Sequence, residues 1–404
     1  MNKIGFKKND WLIPVICSLI MIVLFGAYHL WHYINSSSVD KVKVGFIYVG
    51  DSGTPYTGNF IKCKRELENK YGNSIEIVTR ENVAEGTEKD AINSLIDEEC
   101  DIIFGTSYGY ADSLKKIAAS HPNIQFCEAT AGNANQDPFV SNYHTFMGHI
   151  YEGRYASGVV AGIKLKELID AGIIDSTQAK IGYVAAFPYA EVISGYTAFL
   201  LGVRSVVADA TMDVTYTNTW SSFSKEKKVA KELIADGCVI ISQHSDTTGP
   251  AVACEEAPED VTVFHVGYNQ SMVDVAPTTS LVSSRINWTP YITEAVQAMF
   301  EKRKIEERID ATINGNDSGA GFDKGWVQML DLNEAILPKE TEEILQDTIA
   351  RLENGKIEVF KGDYIGVDSF NENDVYDLRN GYKENETMSA PSFHYILKDI
   401  ITIK

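Results

Sequence analysis

The string GDSG at residues 50–53 is the clearest enzyme-like motif in the chain, because the same residue types surround the nucleophile of trypsin-like proteases. A serine nucleophile requires a histidine base within hydrogen-bonding reach and a third group that orients the base. The only histidines upstream of Ser52 are His29 and His32, which lie in or beside a long apolar segment. We therefore predict that Ser52 is not a nucleophile and that GDSG forms part of a ligand-binding loop.

Motifs for metal binding are equally weak. The eight histidines include no H-E-x-x-H motif, and His144 and His149 are five residues apart, so one helix face would not present both. The six cysteines include no C-x-x-C pair, which argues against a zinc site and against a disulfide framework. The sequence thus predicts no catalytic residue, no metal site and no cofactor.

Polar and aromatic residues that follow predicted strands form the more promising set. Aromatic rings can stack on a flat ligand, which contributes about 0.5–1.5 kcal/mol per pair beyond the area buried. A carboxylate accepts hydrogen bonds from ring N–H groups or sugar hydroxyls. We predict that these side chains bind one small molecule, and that Glu191 lies in one of the same loops. The predicted ligand-binding residues are Asp51, Tyr56, Ser107, Tyr108, Phe187, Trp220, His244, Asp246, Tyr268 and Asn269.

The elements that position these residues occur twice. ECDIIFGTS at 99–107 is repeated as GCVIISQHS at 237–245, and KVGFIYVG at 43–50 is repeated as KIGYVAAF at 180–187. Each segment is an apolar run rich in β-branched residues, which is typical of a buried parallel strand. In open α/β sheets, ligands bind at the carboxyl ends of the strands. The repeat predicts two similar α/β lobes that close on a ligand.

We therefore predict an α/β protein with two doubly wound, parallel-sheet lobes joined by crossovers and preceded by one transmembrane helix. In the helix predicted at 149–169, Gly158 and Gly162 share one face, which favours close helix packing over phosphate binding because no strand leads into them. The predicted parts are a cytoplasmic tail at 1–10, a transmembrane anchor at 11–34, a linker at 35–41, a first lobe at 42–147 and about 278–310, a second lobe at 148–277 and about 311–337, and a C-terminal helix with an unassigned appendix at 338–404.

The transmembrane prediction rests on residues 11–34, which contain no Asp, Glu, Lys or Arg. A helix needs roughly 20 such residues to cross a bilayer. Three lysines precede the segment, so the positive-inside rule places the amino terminus in the cytoplasm and the rest of the chain outside. A cleaved signal peptide is the alternative, but its apolar core is normally only about 7–15 residues long.

The charge of the chain limits its partners. The formal net charge is −20 at pH 7. Binding to nucleic acid requires a basic surface that neutralises phosphates. The composition therefore argues against nucleic acid as a partner and is compatible with a soluble domain that binds a small molecule.

Several ordered segments give the chain a resemblance to the basic membrane protein family, the purine-nucleoside-receptor-like substrate-binding proteins of ABC importers. The likeness extends over 42–362 and is carried by VGFIYVGDSG, TSYGYAD, YEGRYASGVVAG, SQHSDTTGP and GYNQSMVDVAP. It implies the type I periplasmic-binding fold, with two lobes joined by three crossovers. It also implies that Asp246 is the main acidic ligand anchor and that Tyr108, Phe187 and Trp220 line the cleft.

Two features depart from the pattern of the family. Its first loop typically reads G-D-x-G-W-T-Y-x-H-D, whereas this chain has Thr54 in place of the aromatic residue and Gly58 in place of the histidine. Tyr56 is then the candidate to replace the missing aromatic wall. The family is also commonly anchored by a lipid on an amino-terminal cysteine, whereas this chain has the apolar segment at 11–34.

The functional prediction is an extracytoplasmic, membrane-anchored solute-binding protein that captures a purine nucleoside or nucleobase and delivers it to an ABC permease. Ligand contacts from both lobes would stabilise the closed state that the permease recognises. The alternative is the ectodomain of a ligand-sensing receptor with the same fold, which acts on a membrane signalling partner. A neighbouring permease would favour transport, and a kinase partner would favour sensing.

Overall fold

The computed structural model describes residues 41–404 and, before them, only Met21, Phe25 and Gly26. The predicted cytoplasmic tail at 1–10 and transmembrane segment at 11–34 therefore lie almost entirely outside the described residues. Within the described part of the chain, every helix is too short or too polar to cross a membrane.

The described chain alternates strands and helices through most of its length. The strands are β1 (Val42–Ile47), β2 (Ile75–Arg80), β3 (Ile102–Gly105), β4 (Gln125–Ala129), β5 (Tyr143–Gly148), β6 (Lys180–Ala185), β7 (Thr211–Tyr216), β8 (Ile240–His244), β9 (Phe264–Tyr268), β10 (Ser280–Ile286), β11 (Thr312–Asn314), β12 (Asp317–Ala320), β13 (Val327–Leu330), β14 (Ile365–Asp368), β15 (Asn371–Asp377), β16 (Tyr395–Leu397) and β17 (Ile401–Ile403). The α-helices are α1 (Pro55–Tyr71), α2 (Glu88–Asp97), α3 (Ala111–Ala118), α4 (Ile150–Asp170), α5 (Ala190–Arg204), α6 (Phe223–Ala235), α7 (Gly249–Glu255), α8 (Thr289–Glu301) and α9 (Thr341–Glu353).

Two seven-stranded sheets form the two lobes. The first has the order β11-β12-β5-β4-β3-β1-β2, and the second has the order β13-β10-β9-β8-β6-β7-β17. All strand pairs in these sheets are parallel except β11 with β12 and β10 with β13. Five consecutive strands of each lobe are arranged in the same spatial order, which is β2-β1-β3-β4-β5 in the first sheet and β7-β6-β8-β9-β10 in the second. The sequence repeat therefore corresponds to two similar lobes.

The chain passes between the two sheets three times, after β5, β10 and β12. Sheet membership differs from the predicted lobe boundaries. β10 was expected in the first lobe but pairs with β9 of the second sheet, and β12 was expected in the second lobe but pairs with β5 of the first sheet. Each strand is a single segment next to a crossover. Its own sequence does not specify which sheet edge receives it, because long-range pairing decides this.

The unassigned appendix is structured. β14, β15 and β16 form a separate antiparallel sheet with the order β15-β14-β16. The last strand, β17, then pairs parallel with β7 at the edge of the second sheet. The end of the chain is thereby joined to the second lobe.

Close packing of α4 against α5 depends on two glycines. A Cβ atom on Gly158 would lie 2.0 Å from the Phe199 carbonyl oxygen, and one on Gly202 would lie 2.1 Å from the Tyr155 carbonyl oxygen. Any larger side chain would force the helix backbones apart. The prediction that Gly158 serves helix packing is confirmed. This contact also fixes α4, which carries the buried Arg154.

Candidate functional site

A cavity lies between the lobes, at the carboxyl ends of strands from both sheets. The position agrees with the rule that open α/β sheets bind ligands beyond the carboxyl ends of their strands. The lining residues are Val49, Tyr56, Ser107, Tyr108, Thr130, Glu191, Trp220, His244, Asp246, Tyr268 and Asn269.

Two of the predicted ligand-binding residues, Asp51 and Phe187, do not line this cavity, whereas the other eight do. Asp51 accepts hydrogen bonds from the Gly53 backbone N–H at 2.8 Å and from Asn82 Nδ2 at 3.1 Å. The bond from Gly53, followed by that from Asn82, lowers the pKa of Asp51. Asp51 therefore shapes the first loop.

Phe187 lies in a second row of aromatic rings. Its ring centroid is 5.2 Å from that of Trp220 with an interplanar angle of 64°, and it stacks on Tyr189 at 5.2 Å and 17°. Phe187 thus supports the cavity wall that Trp220 forms, because edge-to-face and stacked ring pairs fix each other's orientation.

The sequence predictions did not include Val49 and Thr130, and they named Glu191 only as a neighbour in a loop. Thr130 was missed because the strand before it, β4, had not been predicted. The sequence signal is weak, because residues 125–129 read QFCEA, with a glutamine and a glutamate among the apolar residues. Thr130 has a backbone φ of 68°, which marks the sharp turn at the end of that strand.

The first-lobe loop, residues 107–109, is held by two glutamates. The Ser107 hydroxyl donates to Glu85 Oε1 at 2.7 Å, and the Gly109 backbone N–H donates to the same oxygen at 3.0 Å. The Ser107 backbone N–H donates to Glu128 Oε1 at 3.1 Å. Glu128 is fully buried, and this burial raises its pKa well above the usual range despite the bond from Ser107.

The second-lobe loop, residues 245–247, is held by one glutamate, the buried Glu226, and by Gln243, whose Nε2 donates to the Ser245 and Thr247 carbonyl oxygens at 2.8 Å each. Glu226 Oε2 accepts from Ser245 Oγ at 2.9 Å, from the Thr247 backbone N–H at 3.0 Å and from Thr247 Oγ1 at 2.6 Å. Its other oxygen accepts from the Ser222 backbone N–H at 2.7 Å, at the start of α6. One carboxylate therefore ties the loop that carries Asp246 to a helix terminus, where negative charge is favoured.

Asp246 is oriented from both sides. Its backbone N–H donates to the Trp220 carbonyl oxygen at 2.9 Å, and its Oδ1 accepts from Asn269 Nδ2 at 2.9 Å. Burial, together with the nearby Glu226 and Glu191, raises the pKa of Asp246 to about 8, although the hydrogen bond from Asn269 acts in the opposite direction. At neutral pH the carboxyl group is therefore mostly protonated, so it has both a donor and an acceptor to offer.

His244 adds a neutral imidazole to the wall. Its ring lies 4.6 Å from the Tyr268 ring, and its Nε2 is 3.5 Å from Glu191 Oε1. Burial is the main cause that lowers its pKa, although Glu191 acts in the opposite direction. Within the described chain neither ring nitrogen has a hydrogen-bond partner, and Nδ1 packs against Gly195 of α5, where an added Cβ would lie 2.5 Å from it.

Arg154 supports this wall from behind, a role that the sequence analysis did not identify. Its Nη2 donates to Tyr183 Oη at 2.6 Å and to the Gln243 carbonyl oxygen at 2.9 Å, and its guanidinium lies 5.2 Å from the Tyr268 ring centroid. It is fully buried. Arg154 therefore links α4 to β6, β8 and β9 by hydrogen bonds and cation–π contacts.

The lobes contact each other at the cavity. Asn59 of α1 donates through Nδ2 to the Asn269 carbonyl oxygen at 3.0 Å. The Tyr108 and Tyr189 rings, one from each lobe, lie 6.0 Å apart. The structure therefore represents a closed arrangement of the two lobes.

Two similar α/β lobes, three crossovers and a polar, aromatic cavity between the lobes define a two-lobed solute-binding protein. The chain belongs to the PnrA-like family of ABC transporter substrate-binding proteins, whose sequence model matches residues 41–357. Members of this family bind solutes and are not enzymes. Membership implies a small-molecule ligand and an ABC permease as partner.

Individual relatives agree with this assignment. A purine-binding protein of Brucella abortus (strain 2308) is 30% identical over 350 residues, which cover 86% of this chain and 89% of the relative. A Haloferax volcanii protein, provisionally named an ABC transporter glucose-binding protein, is 27% identical over 81% of this chain and 76% of its own. A solute-binding protein structure from Aeropyrum pernix K1 matches with a TM-score of 0.64 at 15% identity, covering 78% of this chain and 92% of that chain, which supports the fold.

Proposed function

We propose that this protein binds a purine nucleoside or nucleobase in the cavity between its lobes and delivers it to an ABC permease. The single observation that carries the proposal is the combination, in one closed cavity, of aromatic rings with the paired side chains of Asp246 and Asn269. The purine-binding relative from Brucella abortus supports the same ligand class.

The cavity suits a flat heterocycle. Tyr108, Trp220 and Tyr268 supply ring faces and edges from both lobes, and stacking contributes about 0.5–1.5 kcal/mol per ring pair beyond area burial. The Asp246 carboxyl group and the Asn269 amide present donors and acceptors side by side, as the edge of a purine does. His244 and Glu191 are then available to bind ribose hydroxyls or a second edge of the purine ring. Micromolar affinity requires only about −8 kcal/mol in total.

Calorimetric titration of the purified full chain tests the proposal. The protein is first unfolded and refolded to remove carried-over ligand, and it is then titrated with adenosine, guanosine, inosine, their free bases and glucose. We expect saturable one-to-one binding of at least one purine and none of glucose. Binding of glucose alone would assign the cavity to a sugar and would overturn the purine proposal.

We further propose that residues 11–34 anchor the protein at the outer face of the membrane. The absence of charged residues in this segment and the three lysines before it support the proposal. Fractionation of cells that express the full chain should recover it with membranes after a carbonate wash. Recovery in the soluble fraction, with a shortened amino terminus, would indicate signal-peptide cleavage instead.

A further inference from the structure

The three-stranded sheet formed by β14, β15 and β16 brings together three side chains of metal-ligand type. Asp368, Asp374 and His394 each offer one ligand atom, and these atoms all lie within 4.8 Å of one another. All three residues lie beyond residue 357, where the match to the family ends. We propose that they form a binding site for a divalent transition metal ion, of which Zn²⁺ fits best.

Strand pairing explains how residues so far apart in the sequence meet. Asp368 at the end of β14 pairs with Tyr395 of β16, the residue directly after His394. Val367 pairs with Val375 of β15, the residue directly after Asp374. The register of β14 with β15 then shifts between Val367 and Asp368. Such bulges redirect side chains and are common beside functional sites.

The hydrogen bond on the other side of His394 leaves its outer nitrogen free for a ligand. Nδ1 lies 2.9 Å from the Ser392 carbonyl oxygen, which can only accept a hydrogen bond, so Nδ1 carries a proton. In the neutral ring, Nε2 then has a lone pair, and this nitrogen lies 3.4 Å from Asp374 Oδ2. Metal-binding histidines usually make this bond to a carbonyl oxygen or a carboxylate, because it fixes the tautomer and the ring plane. The Tyr395 ring, 4.3 Å from the imidazole, further restricts it.

Asp374 is held in a similar way. Its Oδ1 accepts from the Tyr395 hydroxyl at 3.0 Å, which leaves Oδ2 directed at His394. The separation of Oδ2 from His394 Nε2 is 3.4 Å, which is long for an N–H···O hydrogen bond. Two ligands of a tetrahedral Zn²⁺ ion, each at about 2.0–2.2 Å from the metal, lie about 3.4 Å apart. The spacing of this pair is compatible with a shared ion, and the ligand atom of Asp368 lies within 4.8 Å of both.

The donor set selects among metals. One imidazole nitrogen and two carboxylate oxygens suit Zn²⁺ with water in the fourth position, whereas Mg²⁺ and Ca²⁺ prefer oxygen ligands throughout. The His394 and Asp374 side chains are 36% and 40% exposed, so an ion can reach them from solvent. The five described cysteines, which would compete for Zn²⁺, are all buried. An ion at this position would join β14, β15 and the start of β16.

The test is calorimetric titration of the full chain, stripped with a chelator, with ZnCl₂, MgCl₂ and CaCl₂. We expect one equivalent of Zn²⁺ to bind and the other two ions to bind at least tenfold more weakly. His394→Gln and Asp374→Asn should each weaken Zn²⁺ binding at least tenfold. His121→Gln is the matched control and should bind as the unmodified chain does, because His121 lies in the first lobe, where its Nδ1 is 3.0 Å from the Ile117 carbonyl oxygen of α3.

Two further readouts separate a built site from loss of structure or adventitious binding. Asp374→Asn keeps an oxygen that can accept from Tyr395, so this variant should retain the unmodified melting temperature in chelator. Zn²⁺ should raise the melting temperature of the unmodified chain and of His121→Gln, but not of the two site variants. Co²⁺ should give a visible tetrahedral absorption that both site variants lose. Zn²⁺ binding that persists in both variants, or no saturable binding at all, would overturn the proposal.

Discussion

Ser107 in the first lobe and Ser245 in the second lobe occupy corresponding positions in the repeat, and each donates a hydrogen bond from its hydroxyl group to a glutamate. The distances are 2.7 Å to Glu85 and 2.9 Å to Glu226. The glutamates themselves differ. Glu226 is fully buried and accepts four hydrogen bonds, whereas Glu85 is exposed and accepts two. The serine of the second lobe, Ser245, is therefore supported rigidly, whereas its counterpart in the first lobe, Ser107, is supported more loosely.

The first lobe divides the supporting role between two acids. Glu85 holds the Ser107 hydroxyl group, and the buried Glu128 accepts from the Ser107 backbone. Within the described chain, Glu128 Oε2 has no hydrogen-bond partner. A buried carboxyl oxygen without a partner gains from any rearrangement that gives it a hydrogen bond. The second-lobe loop is thus pre-organised for the ligand, and the first-lobe loop can adjust as the lobes close on it.

The largest effect that the comparison predicts is that of Glu226→Ala. Removal of this buried carboxylate leaves donors of Ser245, Thr247 and Ser222 without their partner. We expect the free energy of unfolding to fall by about 3–5 kcal/mol, as for other broken buried networks. Urea denaturation measures this, and Glu226→Gln, which keeps an acceptor oxygen, should recover part of the loss. A change below about 1 kcal/mol would show that the second loop is no more rigid than the first.

The next effect is a pH dependence that comes from Asp246. The pKa of Asp246 is raised to about 8 in the folded protein, whereas an aspartate in the unfolded chain ionises near pH 4. Between these values the folded state holds a proton that the unfolded state has lost, so the free energy of unfolding falls as the pH rises. The contribution is about 3 kcal/mol between pH 5 and pH 7.

Urea denaturation at several pH values checks this contribution. Asp246→Asn cannot ionise and should show a correspondingly flatter dependence. Glu128, with its raised pKa, contributes in the same direction from the first lobe. Glu128→Gln is therefore the matched variant that measures the first-lobe share. Equal slopes for the unmodified chain and Asp246→Asn would mean that Asp246 is ionised in the folded protein.

The repeat shows how far the sequence alone could lead. It predicted β3 and β8 and the ligand loops after them, because apolar runs between amphipathic segments identify buried strands. It could not identify Arg154 or Glu226 as supports of the cavity, since a charged residue on a predicted helix usually faces solvent. Their roles depend on tertiary contacts with strands and loops distant in the sequence.

The edges of the lobes were less predictable for the same reason. Residues 280–286 read as a strand, but only pairing with β9 assigns them to the second sheet. In the C-terminal sheet, Asp368, Asp374 and His394 match no sequence motif, because pairing of three strands brings them together. Local periodicity predicts elements, whereas their partners are set by contacts that sequence spacing does not encode.

A smaller effect concerns ligand binding and compares the two loops directly. Asp246→Ala should weaken binding of the proposed purine ligand at least about tenfold, which corresponds to about 1.4 kcal/mol, because a polar edge of the ligand loses its buried partner. Ser107→Ala, in the first-lobe loop, should weaken binding less than about threefold. Calorimetry on both variants gives the ratio. A greater loss for Ser107→Ala would make the first lobe the main ligand anchor.

The smallest effect is expected for Glu85→Ala. Glu85 is exposed, so water can replace its carboxylate at the Ser107 hydroxyl and the Gly109 N–H, and the backbone bond from Ser107 to Glu128 remains. We expect the free energy of unfolding to change by less than about 1 kcal/mol in urea denaturation. Amide hydrogen exchange should nevertheless quicken at residues 107–109 and stay unchanged at residues 245–247. A loss as large as that of Glu226→Ala would show that both loops depend equally on one acid, and the proposed division between a rigid and an adjustable lobe would not hold.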